Sequence, residues 1–387
     1  MEATLQNILH HEFDAFAAKH RQPLHKHKAV SSIRQCRTAA LGGHVQRCPA
    51  GHIERICYNA CKYRFCPKCC ALPKQRWLDT QKAKLLDCDH YHVIFTLPHQ
   101  LLDLWGCNTR VMVDLLFQTA TATLTELLGD DKYLGAVPGI IASLHTWGRN
   151  LSRHPHLHCL ISGGGYSPEK RWKAVNNGYL LPFQVVRALF RGKFLAALRR
   201  AYQRGQIDLP EPLTPVQFQN LLNQLGRKVK WNVHVRERYA HGQGVVTYLA
   251  RYLKGGPIRN QQLLKVTRDQ VVFRYTDHKD QQIKTQPLNT GEFIARWLWH
   301  LPEHRQQTVR YYGLYHARQK EKRTLCRQAL GQAPEPAVPF LDWQTYWQTL
   351  GQPAQSQCSV CGQPLLKGAV LARVHSPPRF MNGKANS

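Results

Sequence analysis

Acidic residues are scarce in this sequence. Its 387 residues include 24 Asp and Glu against 53 Lys and Arg, which gives a formal net charge of +29. So large an excess of positive charge is atypical of an enzyme of small-molecule metabolism. It favours a polyanionic partner, either a nucleic acid or an anionic membrane surface.

Long apolar stretches are missing as well. The sequence has no uninterrupted run of about 18 apolar residues, the length that spans a bilayer, and its mean hydropathy is −0.44. Residues 1–13 lack the basic and then apolar pattern of a secretory leader. We therefore expect no membrane partner and a cytoplasmic, nucleoid-associated protein that binds DNA. Hydrophobic residues nevertheless make up 43% of the chain, which is too many for a disordered cationic polypeptide.

Composition divides the chain into three blocks without an internal repeat. Residues 1–88 hold most of the cysteines, residues 89–300 alternate strand-like and helix-like patterns, and residues 301–387 are basic and then rich in Gln and Pro. The polar tail at the end is expected to be disordered. We expect the blocks to form a zinc-binding domain that contacts DNA, a catalytic domain and a basic C-terminal region.

The central block predicts strands interleaved with helices, which indicates an α/β or α+β sheet covered by helices. β-Branched and aromatic residues bounded by Pro or Gly predict the strands, and apolar residues at helical spacing predict the helices. The strands are predicted over 91–98, 139–147, 156–162 and 230–235, the helices over 108–128, 183–202 and 244–254, and a hairpin over 266–276. The three glycines after Ser162 are predicted to end the third strand.

The N-terminal cysteines have the spacing of metal ligands. Cys66-Pro-Lys-Cys69 is typical of a zinc knuckle, because two intervening residues let both thiolates face one tetrahedral ion. The opposing pair is predicted to be Cys48 with His52, or Cys61 in place of one of them. Such a Zn²⁺ site would be structural, stabilising a subdomain that buries little surface of its own.

The sequence does not decide whether several further cysteines and histidines bind metal. Cys36 and His44 are additional candidates for the first site. Cys358 and Cys361 form a second knuckle near the end of the chain. Its only nearby candidate partners in the sequence are Cys326 and His375.

Two histidines, His156 and His158, alternate with apolar residues in the third predicted strand. Residues two apart in a strand point to the same face, so the two imidazoles project together. Paired imidazoles form half of a divalent-metal site with open positions for water or substrate oxygens. The alternative is a chance pair in a chain that contains 21 histidines.

Two tyrosines, Tyr248 and Tyr252, lie four residues apart on the predicted helix 244–254 and therefore on one of its faces. Such a pair most often packs in a core, but Arg251 and Lys254 on the same helix favour contact with DNA. A phenol is a weak nucleophile. A metal that neutralises and aligns a phosphodiester would let it attack, giving a 5′-phosphotyrosine and a free 3′-hydroxyl. Two tyrosines allow two successive transesterifications without ATP.

Four strings carry a resemblance to a known family, namely CRTAALGGH, YNACKYRFCPKC, LHTWGRNLSRHPHLHCLISGGG and HGQGVVTYLARYLKGGPI. Together they resemble the transposases of the IS ninety-one family, which are two-tyrosine HUH (His-hydrophobic-His) enzymes of rolling-circle insertion sequences. The resemblance covers residues 25–315. It implies an α+β fold, with an HUH-endonuclease-like antiparallel sheet and a small N-terminal zinc-binding domain.

The resemblance also implies an activity and its residues. The activity is metal-dependent cleavage and transfer of single-stranded DNA at transposon ends and target. Tyr248 and Tyr252 would be the nucleophiles, and His156 and His158 would hold Mg²⁺ or Mn²⁺.

HUH sites take a third ligand from a neighbouring strand. We favour His145 for this position, with Asn150 and His154 as competitors. One departure concerns the first knuckle, which reads CPAGH here where a CxxC form is common in relatives. The departure leaves the role of His52 open.

Basic residues with few acids predict the DNA-binding surface. On the predicted helix 183–202 and the tyrosine helix these are Arg187, Arg191, Lys193, Arg199, Arg200, Arg251 and Lys254. Residues 304–323 add further Lys and Arg, interleaved with Tyr311, Tyr312 and Tyr315 as stacking platforms for bases. Arg47, Lys62, Arg64 and Lys68 are expected to bring the cysteine cluster into contact with phosphates.

Two other functions are compatible with parts of this pattern. One is a non-enzymatic zinc-finger regulator in which the histidines and tyrosines are structural. The other is a replication initiator or relaxase with the same chemistry. The absence of a P-loop weakens the second, since no helicase is fused and unwinding would come from a host helicase.

Overall fold

The structure is a computed structural model that describes residues 2–239, 244, 246–247, 256–277, 280–351 and 357–374. Its helices are α1 Leu5–Lys19, α2 Leu24–Arg34, α3 Ala71–Lys84, α4 Leu102–Cys107, α5 Thr109–Gly129, α6 Phe183–Gln203, α7 Pro215–Arg227, α8 Thr290–Trp299, α9 Lys320–Ala329 and α10 Trp343–Thr349. Its strands are β1 Gly43–Arg47, β2 Glu54–Tyr58, β3 His90–Thr96, β4 Val137–Trp147, β5 Arg153–Tyr166, β6 Trp172–Ala174, β7 Asn232–Tyr239, β8 Leu263–Val266, β9 Gln270–Thr276, β10 Ile283–Asn289, β11 Val309–Gly313 and β12 Leu366–Leu371.

The central sheet has the strand order β11-β4-β5-β3-β7, with β6 paired to β5 beside that path. Every neighbouring pair is antiparallel. The α+β fold with an antiparallel sheet and helices is therefore confirmed.

Alternation along the strands gives this sheet two different faces. On one face Val93, Phe95 and Leu157 pack with residues of α5 and α6 in the largest core. On the other face Ile141 and Leu160 pack with residues of α3 and α9. Helices α5 and α6 thus cover one face of the sheet, and α3 and α9 cover the other. Successive residues of a strand therefore contact different helices.

The prediction that glycines end the third strand was wrong, because β5 continues through Gly163, Gly164 and Gly165 to Tyr166. These glycines allow close approach of neighbouring chain segments. A Cβ on Gly164 would lie 2.3 Å from Trp172 Cζ2, and one on Gly165 would lie 2.7 Å from the backbone of Val137. The glycines therefore permit pairing with β6 and β4 instead of stopping the strand.

A second core joins distant parts of the chain. Leu5 and Ile8 of α1 and Ile33 of α2 pack with Phe273 of β9 and Trp297 of α8. The three-stranded sheet β10-β9-β8 lies in this same core. The N-terminal helices of the predicted block 1–88 thus share their core with the end of the central block.

A third, small sheet has the order β12-β1-β2. The predicted C-terminal region thereby returns to the N-terminal one. Most of β2 and β12 is exposed, so this sheet has little apolar burial of its own.

Helix α5 is the one described helix that is long and apolar enough to cross a membrane by length and composition. Of its apolar stretch, 67% is buried inside the molecule. Leu116, Phe117 and Leu124 are fully buried in the core that α5 shares with the central sheet. A core helix passes the same length and composition test, and α5 packs as one.

Candidate active site

Three histidines meet on one face of the central sheet. In the β4–β5 register His145 lies opposite His156, and Ser143 lies opposite His158. The ligand nitrogens of His145, His156 and His158 all lie within 4.8 Å of one another. His145 and His158 are 1% and 2% exposed, whereas His156 is half-buried. The arrangement is a nitrogen cluster with one side toward solvent, which suits a metal that keeps open positions.

The backbone fixes the proton on His156. Its Nδ1 lies 2.6 Å from the carbonyl oxygen of His154. A carbonyl oxygen only accepts, so Nδ1 must carry the proton and donate it. In the neutral ring this leaves the lone pair on Nε2, the atom available to a metal.

A fourth histidine supports the cluster from the neighbouring strand. Nε2 of His92 on β3 lies 2.8 Å from Nδ1 of His158, and the two rings stack with centroids 4.9 Å apart. His92 is 2% exposed. A hydrogen bond to the second ring nitrogen orients a ligating histidine and sets its tautomer. When Nδ1 of His158 donates in this bond, the lone pair is on Nε2, which is then the nitrogen available to a metal.

The environment keeps His145 uncharged. Burial lowers the pKa of His145 well below its usual value, and the neighbouring His156 and His92 lower it further. A neutral imidazole is the form that binds metal. The donor set of three imidazoles therefore suits a divalent metal cation, with substrate or water oxygens completing the coordination.

The other candidates for third ligand are not among the grouped donors, although the ring of His154 lies beside that of His156 with centroids 4.9 Å apart. The side-chain oxygen of Asn150 accepts from the backbone of Ser152 at 3.2 Å, within the turn between β4 and β5. His154 is exposed, and its side chain is not among the three grouped donors. The geometry thus groups His145 with the His-x-His pair.

Tyr248, Tyr252, Arg251 and Lys254 lie outside the described residues. Val246, two residues before Tyr248, is described. Val246 is fully buried in the cluster that contains Ile141 and Leu160. Since Leu160 lies two residues from His158 on β5, this cluster is on the histidine face.

The first cysteine group comprises Cys36, Cys61, Cys66 and Cys69. Cys36 Sγ lies 3.4 Å from Cys69 Sγ and 3.6 Å from Cys66 Sγ, and Cys61 Sγ lies 3.7 Å from Cys69 Sγ. Four thiolates at tetrahedral Zn²⁺ are about 3.8 Å apart, given Zn–S bonds of about 2.3 Å. The group fits a closed structural zinc site.

The second group corrects the predicted ligand set. Cys48 and His52 lie with Cys358 and Cys361, not with the knuckle at Cys66. The five predicted zinc ligands therefore divide between two groups. Cys36, which the sequence left open, completes the first. Cys326 is buried in the core beside Leu160, and His375 lies outside the described residues.

Arg64 connects the first cysteine group to the histidine strand. Its guanidinium donates to the hydroxyl of Thr308 at 3.0 Å and to the carbonyl of Gln306 at 3.4 Å. The carbonyl of Thr308 in turn accepts from the backbone N–H of Leu144 at 2.8 Å, next to His145. Burial lowers the pKa of Arg64. This arginine is an internal connector, whereas the sequence predicted a phosphate contact.

The basic residues of α6 lie on the other face of the sheet. Phe190 and Phe194 of this helix pack in the core that contains Phe95 and Leu157, opposite to the histidines. Lys193 forms an ion pair with Glu126 of α5 at 2.5 Å. Arg187, Arg191, Arg199 and Arg200 are thus separated from the histidine cluster by the sheet itself.

The predicted stacking platforms after residue 304 are occupied within the fold. Tyr315 is 3% exposed, and its hydroxyl lies 2.6 Å from Nε2 of His90. The hydroxyl of Tyr311 accepts from the indole of Trp77 at 2.8 Å. Arg310 forms an ion pair with Asp114, and Arg323 with Glu335. These side chains hold β11 and α9 in place and do not present an aromatic surface to bases.

Sequence reasoning missed His92. A signal was present, because His92 interrupts the predicted strand 91–98, which is otherwise largely apolar, and His90 lies two residues earlier. Polar residues that are buried on a strand require partners. His90 contacts Tyr315 and His92 contacts His158.

Two family models match the chain. One is described as "Putative transposase" and matches residues 139–323, which include His145, His156 and His158. The other is described as "Transposase zinc-binding domain" and matches residues 8–97, which include the first cysteine group.

Two curated relatives are similar over most of their length. A protein of Sinorhizobium fredii described as "Putative transposase y4qJ" is 34% identical over 378 residues, covering 95% of each chain. The "Transposase for insertion sequence element IS801" of Pseudomonas savastanoi pv. phaseolicola is 30% identical over 298 residues. That match covers 74% of this chain and 69% of the relative.

Proposed function

Because this chain belongs to the IS ninety-one family of transposases, we propose that it cleaves and joins single-stranded DNA by transesterification. The observation that carries this proposal is the convergence of His145, His156 and His158 within 4.8 Å on one face of β4 and β5. Its substrates would be the ends of its own insertion sequence and a target strand, with unwinding supplied by a host helicase.

The three imidazoles would hold Mg²⁺ or Mn²⁺. When bound there, the cation would neutralise a non-bridging phosphate oxygen and orient the scissile phosphate. His156 is poised to ligate because the carbonyl of His154 holds the proton on its Nδ1. His158 is oriented by His92. These contacts pre-organise the cluster before any metal or DNA arrives.

Tyr248 and Tyr252 are the proposed nucleophiles. A phenolic oxygen would form a bond to phosphorus while the bond to the 3′-oxygen breaks, and the departing strand would keep a 3′-hydroxyl. Tyr248 follows the buried Val246 by two residues, and two residues span at most about 7 Å. Since Val246 packs with Leu160 and Ile141 on the histidine face, chain connectivity supports this assignment.

A covalent-adduct assay tests the proposal. Purified protein is incubated with labelled single-stranded DNA from an end of the element and Mn²⁺, and the adduct that survives SDS is measured. The double variant Tyr248→Phe/Tyr252→Phe should give no adduct, and His156→Ala and His145→Ala should match the effect of a chelator. Tyr179→Phe and His11→Ala are the controls, because both side chains are exposed and neither belongs to the grouped donors.

The same assay separates the alternatives. A regulator that only binds DNA would shift the labelled strand without forming an adduct in any variant. An adduct that persists in the double tyrosine variant would assign the nucleophile to another residue.

A further inference from the structure

A second group of metal-ligand residues joins the N-terminal and C-terminal regions of the chain, and its members are Cys48, His52, Cys358 and Cys361. Cys48 Sγ lies 3.6 Å from Cys361 Sγ, although the two residues are 313 positions apart. His52 Nδ1 lies 3.6 Å from Cys48 Sγ and 4.0 Å from Cys358 Sγ. Four donor atoms from two remote loops thus occupy one small volume.

These distances match those of a tetrahedral zinc ion. With Zn–S bonds of about 2.3 Å and Zn–N bonds of about 2.0 Å, two sulfurs lie about 3.8 Å apart and a sulfur and a nitrogen about 3.5 Å apart. The set of three thiolates and one imidazole is a common structural zinc set.

Each pair of ligands is presented by a tight hydrogen-bonded turn that contains a glycine. The N–H of Gly51 donates to the carbonyl of Cys48, and the N–H of Gly362 donates to the carbonyl of Cys358. Both glycines have positive φ, at 78° and 72°, which a glycine adopts at little cost. The backbone therefore holds both halves in knuckle form.

Apolar burial is too small to hold these parts together. The pairing of β12 with β1 brings Cys361 toward Cys48, yet Val370 is 78% exposed and Leu366 is 50% exposed. Small units with so little buried surface depend on a metal or a disulfide for their stability. The four grouped side chains beside the β12–β1 pairing are suitable ligands for such a metal.

We propose that Cys48, His52, Cys358 and Cys361 bind a second Zn²⁺, which fastens the C-terminal segment to the N-terminal sheet. Two of its ligands, Cys358 and Cys361, lie beyond both ranges that match the family models. The first cysteine group is complete without them. The two ions would therefore be bound independently.

The segment fastened by this zinc contacts α3 and the residues beside it. We call residues 332–351 and 357–371 the C-terminal strap. The side-chain amide of Gln332 accepts from the backbone N–H of Asp87 and donates to its carbonyl. Arg76 of α3 donates to the carbonyl of Leu341 at 2.6 Å and lies 3.9 Å above the ring of Phe340. Since α3 also contributes Leu78 to the core on the histidine face, the second zinc would hold the strap against the layer that covers that face.

Zinc counting on the full chain tests the proposal. Native mass spectrometry should find two Zn²⁺ per chain in the unchanged protein and one in Cys358→Ser/Cys361→Ser. The control Cys107→Ser should retain two, because Cys107 is exposed and outside both groups. His52→Ala should lower the count to one and His52→Cys should restore two.

A second measurement covers the case in which a variant loses zinc by misfolding. Limited proteolysis should cut the strap of Cys358→Ser/Cys361→Ser several-fold faster, while the central sheet stays resistant. A count of one zinc in the unchanged protein would overturn the proposal. So would two zinc ions retained in both Cys358→Ser/Cys361→Ser and His52→Ala.

Discussion

Nε2 of His92 lies 2.8 Å from Nδ1 of His158, across the pairing of β3 with β5. Both rings are 2% exposed, so the contact is made away from solvent, where polar pairs hold their geometry. His158 belongs to the three-imidazole cluster and His92 does not. His92 is therefore a positioning residue for the proposed metal site.

Replacing His92 should weaken metal binding without removing a ligand. His92→Phe should lower the affinity for Mn²⁺ about 10–100-fold, because loss of a supporting hydrogen bond leaves a ligating ring free to turn. The measurement is the Mn²⁺ concentration at half-maximal adduct formation. His92→Gln, which keeps a polar partner for His158, should recover part of the loss. Equal Mn²⁺ affinity in His92→Phe and the His11→Ala control would contradict this role.

Arg64 should affect both stability and adduct formation. Arg64→Met removes the hydrogen bonds to Thr308 and Gln306 and should lower the free energy of unfolding by about 1–3 kcal/mol. Because Thr308 also binds the backbone beside His145, the rate of adduct formation should fall as well. Zinc content should stay unchanged, since the thiolates remain. A variant that loses zinc in proportion to its adduct rate would indicate that Arg64 acts only by holding the cysteine loop.

The arginines of α6 should matter little for cleavage of a short strand. Charge reversal at Arg191 and Arg200 places the change on the far side of the sheet from the histidines. Charges farther away than a Debye length of about 10 Å are largely screened, so the adduct rate on a short oligonucleotide should change less than about twofold. Arg251→Ala/Lys254→Ala, next to the tyrosines in sequence, should slow the same reaction markedly. A large, salt-dependent loss in the α6 variant would place the strand across that helix.

Buried His300 makes the fold sensitive to acid. Its Nε2 donates to the carbonyl of Leu151 at 3.1 Å, and its Nδ1 accepts from the hydroxyl of Thr146 at 3.2 Å. Burial lowers the pKa of His300 from 6.5 to about 4. As the pH falls through that window, the unfolded chain takes up a proton that the folded chain does not, so stability is lost.

The consequence is measurable by urea unfolding at several pH values. His300→Gln keeps a donor and an acceptor but cannot be protonated. It should reduce the pH dependence of the unfolding free energy between pH 4 and 6.5, by up to about 1.4 kcal/mol per pH unit. Exposed His11→Gln is the matched control. An unchanged slope in His300→Gln would show that His300 is charged in the folded state.

Local patterns predicted the parts of this fold that depend on neighbouring residues. The strands with His92, His145 and His156 follow from β-branched and aromatic residues, and period two places His156 beside His158. The partner of His92 lies 66 residues away. Only the strand order reveals that contact.

The grouping of the zinc ligands likewise depends on contacts between residues that are distant in sequence. Spacing identified the knuckles at Cys66 and Cys358, but which knuckle pairs with Cys48 depends on the register of β12 against β1. The prediction assigned Cys48 to the nearer knuckle. Tertiary pairing assigns it to the distant one.

Mapping the covalent adduct tests the central claim most directly. DNA-linked protein formed with Mn²⁺ is digested with trypsin, and the modified peptide is identified by mass spectrometry. Cleavage after Arg238 and Arg251 separates Tyr248 from Tyr252, and fragmentation distinguishes Tyr248 from Tyr239. We predict nucleotide linked to Tyr248 or Tyr252, and no modified peptide from His156→Ala. Nucleotide on any other residue, or the same yield from His156→Ala, would contradict the account.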